Sequence, residues 1–333
     1  MRLLRSAAVV VLLGSLALAG DDFTFAAFTG TANSPGNRVS AAADFRAPTV
    51  GSSTIAKSAG GTPGFIKQGG TYYVYANVTD AGNPASGVST VTANVSSITT
   101  GQTAVSLASG SFSVGGVSYG FRSAIQTANA VLSAGSKSYT VTATDAASNG
   151  ATQGGFSVTV DNTASAGSDV QTANGAATAG TAEPGDTVTY TFSEPVDPAS
   201  VLSGWTGTST SVVVRVINGG TLPVTADTVQ IWNAANNAQL PLGTVTLPSG
   251  TYVGGLAGTE VASFGATGTA SAMVMSGSTI TITLGTAGGQ AASAGLLAGA
   301  MSWVPSATAT DRAGNASSTA TVNESTPPND TEF

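Results

Sequence analysis

The sequence predicts an all-β fold of tandem antiparallel β-sandwiches that follow an N-terminal signal helix. Only 8% of the 333 residues are charged and 6% are aromatic, so any core must consist of small and β-branched side chains, which favours strands. From Pro48 onward, stretches of alternating apolar and polar residues recur between Gly, Pro and Asn turns. The length suits two domains that each bury a core.

The first 27 residues are predicted to be a signal peptide. Arg2 and Arg5 precede an apolar stretch from Ala7 to Ala19, which is the order of charge and hydrophobicity in a secretory signal. This stretch is too short to span a bilayer comfortably, and no second apolar segment of spanning length appears, so we expect no membrane span in the mature chain. Cleavage is predicted after Ala27, with Ala19 as the alternative.

The segment around this cleavage point carries a family resemblance. The run F-A-A-F-T-G-T-A-N-S-P-G-N at 25–37, followed by V-S-A-A at 39–42, resembles the start of TasA and camelysin-like exported proteins. The resemblance implies export and processing by a dedicated signal peptidase of the SipW type, which favours cleavage after Ala27. Residues 28–45 are then an N-terminal linker or arm.

A first β-sandwich domain is predicted over residues 46–164. The imperfect spacing of Val88, Val91 and Val95 predicts a bulge in one strand, and Gly115-Gly116 predicts a two-residue hairpin turn. The predicted strands are Tyr72–Val78, Val88–Val95, Ser111–Val114, Val117–Phe121, Tyr139–Thr144 and Phe156–Val160. The domain length and the short strand spacing are typical of an immunoglobulin-like sandwich.

A second, enlarged domain is predicted over residues 165–323, followed by a polar tail at 324–333. The excess length falls between Asn218 and Ala272, and Gly285–Ala300 is predicted to be a long loop or one short helix. All three tryptophans lie in this domain and are expected to fill its core. The predicted strands are Thr187–Phe192, Ser211–Ile217, Thr228–Trp232, Gly243–Leu247, Ser271–Met275, Thr279–Leu284 and Ser318–Val322.

An internal echo supports tandem domains. The run A-T-D-A-A-S-N at 143–149 corresponds to A-T-D-R-A-G-N at 309–315, and each is expected to precede the strand that closes its domain. Both runs resemble the T-D-x-A-G-N hairpin of bacterial Ig-like domains. The stretch D-T-V-T-Y-T-F-S-E-P-V-D-P-A-S-V at 186–201 resembles the opening of the Ig-like domain of bacterial surface-layer and adhesin proteins. These resemblances imply a fold and name no ligand.

The composition argues against catalysis. The chain has neither Cys nor His, so it lacks thiolate nucleophiles, imidazole bases and sulfur metal sites. Four acids lie close in sequence and could be interpreted as paired carboxylates for glycoside hydrolysis, but each sits beside Pro or Gly or at a strand end, which favours solvated turn residues. They are Glu183, Asp186, Glu194 and Asp197. We expect no enzyme and no cofactor other than calcium.

Acidic turns suggest calcium as the one candidate metal. Asp145 with Asn149, and Asp311 with Asn315, could donate oxygen ligands, as could Asp80 with Asn83. Calcium takes six to eight oxygen ligands, and each group offers about two side chains. The sequence therefore favours the other interpretation, in which these Asp and Asn side chains cap their own turns by bonding to nearby backbone N–H groups.

A tyrosine-rich strand offers a possible ligand surface. Tyr72, Tyr73 and Tyr75 could present rings to a carbohydrate or a peptide, and alternation is taken to place Tyr73 opposite Tyr72 and Tyr75. At least one of the two faces is expected to be core.

These features predict a secreted protein that is extracellular or associated with the cell surface. The leading hypothesis is a structural or adhesive matrix protein, and the alternatives are a secreted carbohydrate- or protein-binding module and a strand-donating fibre subunit. Expected partners are cell-envelope polysaccharide or protein, including self-association. The net charge of −7 disfavours nucleic acid.

Overall fold

The computed structural model describes residues 44–82, 84–175, 178–220, 225–255, 260–295, 297–325 and 332–333. The predicted signal peptide and nearly all of the predicted arm therefore lie outside the described residues. Two sheets account for the described strands, one in residues 44–163 (the first half) and one in residues 164–333 (the second half). The nearly all-β prediction is thus confirmed.

In the first half, the residues that the structure describes form nine strands around one core. Their order in the sheet is β1-β3-β6-β5-β4-β8-β9-β2, with β7 beside β3. All pairs are antiparallel except β2 with β9, and β1 lies against β8 and β9 without pairing with them, so the sheet closes over its core. The strands are β1 (Thr49–Lys57), β2 (Phe65–Ile66), β3 (Thr71–Thr79), β4 (Val88–Asn94), β5 (Val105–Val114), β6 (Val117–Ser123), β7 (Gln126–Thr127), β8 (Gly135–Asp145) and β9 (Gly150–Val160).

The core of the first half is mainly aliphatic, with Tyr72 and Tyr139 as its buried aromatic residues. Alternate residues of β3 point into it, and Ile55, Ile66 and Ile98 are fully buried there. The predicted bulge in the Val88 strand is confirmed by a register shift between Val88 and Thr90 against β8. The predicted hairpin is confirmed as well, because Gly115 and Gly116 have φ of 57° and 76° between β5 and β6.

The described residues of the second half form eleven strands and one short helix. The strand order is β10-β11-β17-β16-β12-β13-β14-β19-β20, with β15 pairing with β12 and β18. β10 also lies against β19 and β20, so the two ends of the order meet around the core. The elements are β10 (Gly167–Ala173), β11 (Thr187–Phe192), α1 (Pro198–Val201), β12 (Thr210–Ile217), β13 (Thr228–Asn233), β14 (Thr244–Thr246), β15 (Val261–Phe264), β16 (Ser271–Ser276), β17 (Thr279–Thr283), β18 (Ala287–Gly289), β19 (Ser302–Val304) and β20 (Val322–Asn323).

The tryptophans divide between core and surface. Trp303 is fully buried, packs edge-on against Tyr190 and Phe192, and donates from its indole nitrogen to the Leu242 carbonyl at 2.7 Å. Trp205 also belongs to the core cluster. The prediction that all three fill the core is wrong for Trp232, because its ring is half-buried and carries the guanidinium of Arg215 on one face.

Three other expectations need correction. Gly285–Ala300 contains the short strand β18, so it is neither a plain loop nor a helix. Only Val322 of the predicted Ser318–Val322 strand is extended and paired, which means that the second echo is not followed by a long closing strand. The 324–333 tail is polar, but Glu324, Glu332 and Phe333 are buried.

Among the described residues, none of the helices has the length and hydrophobicity needed to cross a membrane.

Candidate metal centres

The loop between β8 and β9 is closed by its own acid and amide, as the turn-capping interpretation predicts. Asp145 Oδ1 accepts from the Asn149 backbone nitrogen at 2.8 Å, and Asp145 Oδ2 accepts from Asn149 Nδ2 at 2.7 Å. The amide also donates to the Asp44 carbonyl at 3.2 Å. These bonds fix the position of Asp145 at one end of the first half, where the residue is 2% exposed.

Two further carboxylates meet Asp145 there. One oxygen of each of Asp44, Asp80 and Asp145 lies within 4.8 Å of the others, a group that we call the first cluster. Asp44 accepts from the backbone nitrogens of Arg46 and Ser86, both at 2.9 Å, and these bonds hold its pKa below the ordinary value. Asp80 Oδ2 accepts from Gly87 N at 2.7 Å, but Asp80 Oδ1 is buried and has no hydrogen-bond partner among the described residues.

The 311–315 loop repeats this geometry in the second half. Asp311 Oδ1 accepts from Asn315 N at 2.8 Å, and Asp311 Oδ2 accepts from Asn315 Nδ2 at 2.7 Å. The Asn315 amide also donates to the carbonyls of Asp161 and Thr163 at 3.0 and 3.2 Å. One oxygen of each of Asp161, Glu194 and Asp311 lies within 4.8 Å of the others, and these form the second cluster.

The pKa of the Glu194 carboxyl is raised within the second cluster. Glu194 Oε1 is buried, and no residue in the described part of the chain forms a hydrogen bond with it. Burial, followed by the negative charges of Asp161 and Asp311, raises the pKa of Glu194 to about 7. Around neutral pH the cluster therefore either holds a proton or concentrates negative charge in a small volume.

The two clusters occupy equivalent positions in the two halves. Asp44 and Asp161 each precede the first strand of their half, and Asp80 and Glu194 each follow the strand that pairs with it. Sequence reasoning missed Asp44, Asp161 and Glu194 as partners of these loops. The repeated acid after V-T at 78–80 and after F-S at 192–194, read beside the A-T-D echo, was the available signal.

Carboxylate oxygens at this spacing suit a hard divalent cation. The structure thus raises the number of acidic side chains at each predicted calcium site to three and adds backbone carbonyls nearby, while keeping the predicted turn caps. Asn83, which sequence analysis paired with Asp80, lies outside the described residues. Calcium, with six to eight oxygen ligands in flexible geometry, is the cation that such a donor set fits best.

The second cluster also belongs to the contact between the halves. Lys57, at the end of β1, forms a buried salt bridge with Asp197. Its ammonium donates to the Arg312 carbonyl at 2.9 Å and the Asp311 carbonyl at 3.3 Å. Lys67 donates to the Gly314 carbonyl at 2.6 Å. The 311–315 loop is thereby attached to the first half from two directions.

The four acids that sequence analysis weighs as a catalytic group do not converge on one site. Asp186 accepts from the backbone nitrogens of Gly175 and Glu183 at 2.9 and 2.7 Å, and Glu183 Oε2 accepts from Thr178 N at 3.0 Å. Asp197 caps α1 and pairs with Lys57, whereas Glu194 lies in the second cluster. Each carboxylate therefore has its own structural partners.

The tyrosines of β3 divide differently from the expected pattern. Tyr72 is fully buried and its hydroxyl contacts Thr99 Oγ1 at 2.8 Å, so it does not contribute to a surface. Tyr75 lies with Tyr73 on the opposite face. The expected grouping of Tyr75 with Tyr72 is wrong, because residues three apart on an unbroken strand point to opposite faces.

Comparisons with known proteins leave the family open. No family model matches the chain, and no curated protein matches it. Among solved structures, dimeric latent PorU from Porphyromonas gingivalis is similar over 74% of this chain and 20% of its own, with 14% identity and a TM-score of 0.22. The chain thus spans about a fifth of that protein, and a likeness this weak carries no argument about fold or function.

Proposed function

We propose that the chain is an exported, non-catalytic structural or adhesive protein of the cell surface or extracellular matrix, built of Ig-like modules that calcium stiffens. The observation that carries the proposal is the double role of the 311–315 loop. Asp311 contributes a carboxylate to the second cluster, while the carbonyls of Asp311 and Arg312 accept from Lys57 of the first half.

The junction has the features of a rigid connection. The side chains of Lys57 and Asp197 are 11% and 2% exposed, so the pair is removed from water and stands only because both charges are satisfied. Thr62 adds a hydrogen bond from its hydroxyl to Asp197 at 3.3 Å. A protein that transmits force or holds spacing between partners requires such a connection, whereas an isolated binding domain does not.

One carboxylate oxygen in each cluster favours a bound calcium ion. Asp80 and Glu194 occupy equivalent places in the two clusters, and the oxygens Asp80 Oδ1 and Glu194 Oε1 are both buried with no hydrogen-bond partner in the part of the chain that the structure describes. A buried carboxylate oxygen without a donor is costly, and a bound cation removes that cost together with the repulsion between the acids. Cation binding would then tighten each end loop and, at the second cluster, the junction.

Export and surface retention are tested by fractionation of the producing cells. We expect the full chain, tagged at a solvent-exposed loop, to be recovered with the envelope or matrix, and a variant lacking residues 7–19 to remain in the cytosol. Recovery of the unaltered chain from the cytosol would contradict the proposal. So would measured turnover of a substrate that a single point substitution abolishes.

A secreted carbohydrate-binding module is the second candidate. It is favoured by the face of β3 that carries Tyr73 and Tyr75 beside Arg122. The strand-donating fibre stays a prediction, because residues 28–43 lie outside the described part of the chain.

A further inference from the structure

The outer face of the first sheet carries a cluster of rings around one arginine. Tyr73, Tyr75, Phe112, Tyr119 and Arg122 form this group, which we call the outer-face patch. Tyr75 contacts Tyr73 edge-on at 6.0 Å and Tyr119 at 5.6 Å between ring centroids. The group is separate from the main core, which lies on the other side of β3.

The guanidinium of Arg122 stacks on two aromatic rings, and its N–H groups have no acceptor among the described residues. Its guanidinium carbon lies 4.4 Å from the centre of the Tyr73 ring and 4.3 Å from that of Phe112. Among the described residues, no carboxylate, carbonyl or hydroxyl accepts from its nitrogens. The rings fix the plane of the guanidinium, and its N–H edge is left for an acceptor from outside the chain.

A second stacked arginine shows that an open edge is not a necessary result of stacking. Arg215 lies over the Trp232 ring at 3.6 Å. Its Nε donates to Asn236 Oδ1, and its Nη2 donates to the Asn236 carbonyl, both at 2.8 Å. The chain thus satisfies the edge of Arg215 internally and leaves that of Arg122 without an acceptor among the described residues.

The tyrosine hydroxyls of the patch have no internal partner. Those of Tyr73, Tyr75 and Tyr119 have no hydrogen-bond partner among the described residues, and none is fully buried as the partnerless hydroxyl of Tyr190 is. Tyr75 and Tyr119 are largely buried, at 6% and 8% exposed, whereas Tyr73 is half-buried. Packed rings whose hydroxyls keep some access to solvent suit ligands with both apolar and hydroxyl groups.

We propose that the outer-face patch binds a carboxylate-bearing sugar, such as a uronic acid unit of an envelope glycan. The planar guanidinium edge matches a carboxylate in bidentate geometry. The ring edges offer apolar contact to sugar C–H groups, and the three tyrosine hydroxyls can bond to sugar hydroxyls. The net charge of −7 repels long polyanions and acidic proteins, which favours a short acidic saccharide as the occupant.

The test is a titration of the full chain with trigalacturonic acid, in chelator so that the carboxylate clusters bind no cation. We expect measurable binding, at least about tenfold weaker binding of neutral galactotriose, and a loss of about 10- to 100-fold in Arg122→Gln. Arg122→Lys keeps the charge without the planar fork and should lose part of the affinity. Arg215→Gln is the matched control and should bind as the unaltered chain does, with circular dichroism confirming that each variant is folded.

Three outcomes would overturn the proposal. Equal affinity for the acidic and neutral trisaccharides would remove the carboxylate from recognition, and no binding at millimolar saccharide would remove the site. Displacement of the saccharide by a hexaglutamate peptide of equal or higher affinity would assign the patch to an acidic protein partner. None of these results bears on cation binding at the clusters, so failure here is distinct from failure of the proposed function.

Discussion

The first and second carboxylate clusters have the same design and different neighbours. The 145–149 loop contacts its own half, where Ala146 donates to the Gly87 carbonyl and Ala147 donates to Ser86 Oγ. The 311–315 loop contacts the other half through Lys57 and Lys67. Within the described residues, the single salt bridge of the chain lies beside the second cluster, and the first cluster has no equivalent of it.

This difference indicates how one repeated motif serves two purposes. At the first cluster the acids fix a loop to the strand ends of the same half. At the second, the same loop carries backbone carbonyls that accept from a lysine of the neighbouring half, so loop order and junction order are linked. Any ligand that orders the second loop therefore acts on the contact between the halves.

The largest effect is expected from removing the anion of the junction. Asp197→Ala leaves the ammonium of Lys57 buried with only carbonyl acceptors, and we expect a loss of about 3 kcal/mol or more in unfolding free energy. Chemical denaturation measures it, with tryptophan emission reporting on the second half alone because all three tryptophans lie there. Lys57→Met combined with Asp197→Ala should recover much of the loss. A loss below about 0.5 kcal/mol in the single variant would place the junction among weak surface contacts.

Calcium is expected to have an intermediate effect that distinguishes the clusters. Saturating calcium should raise the tryptophan-detected melting temperature by about 5 °C, as ligand binding to the folded state alone requires. Glu194→Gln should abolish that increase, since it removes one of the three acids of the second cluster, and it should be at least as stable as the unaltered chain in chelator.

Asp80→Asn is the matched control for this experiment. It alters the equivalent acid of the first cluster, so the tryptophan signal of the second half should still respond to calcium. If calcium does not raise the melting temperature of the unaltered chain, cation binding at the second cluster is contradicted. The same holds if Glu194→Gln leaves the calcium-induced increase intact.

The sequence predicted most of the long strands, and two long strands that it missed have a common cause. β8 and β11 alternate apolar and polar residues because one face of each is buried. β1 reads T-V-G-S-S-T-I-A-K, with only three buried residues, and β10 reads G-S-D-V-Q-T-A, with one. Both strands stand first in the order of their sheets. Their pairing rests on backbone hydrogen bonds, and because few of their side chains are buried, their sequences show no apolar alternation.

The site could be predicted only in part, for a similar reason. The Asp and Asn of each loop lie four residues apart, and local capping chemistry identifies them. Their partners come from far away, since Asn149 and Asp44 are separated by 105 residues and Asn315 and Asp161 by 154. Only the fold brings such groups together. The openness of Arg122 is likewise visible only once its neighbours are known.

The smallest effect is expected from pH in the absence of divalent cations. The folded-state pKa of Glu194 is raised to about 7, above its value of about 4.3 in an unfolded chain. Between these values the folded state keeps a proton that the unfolded state has lost, so stability falls as the pH rises through this window and levels off above it. The groups that face Glu194 are Asp161 and Asp311, with the ammonium of Lys57 beyond the Asp311 carbonyl. In chelator, the tryptophan-detected melting temperature should decline from pH 5 to pH 7 by less than the calcium shift. Glu194→Gln should flatten the decline and Asp80→Asn should preserve it, whereas an equal decline in both variants would assign it to other groups.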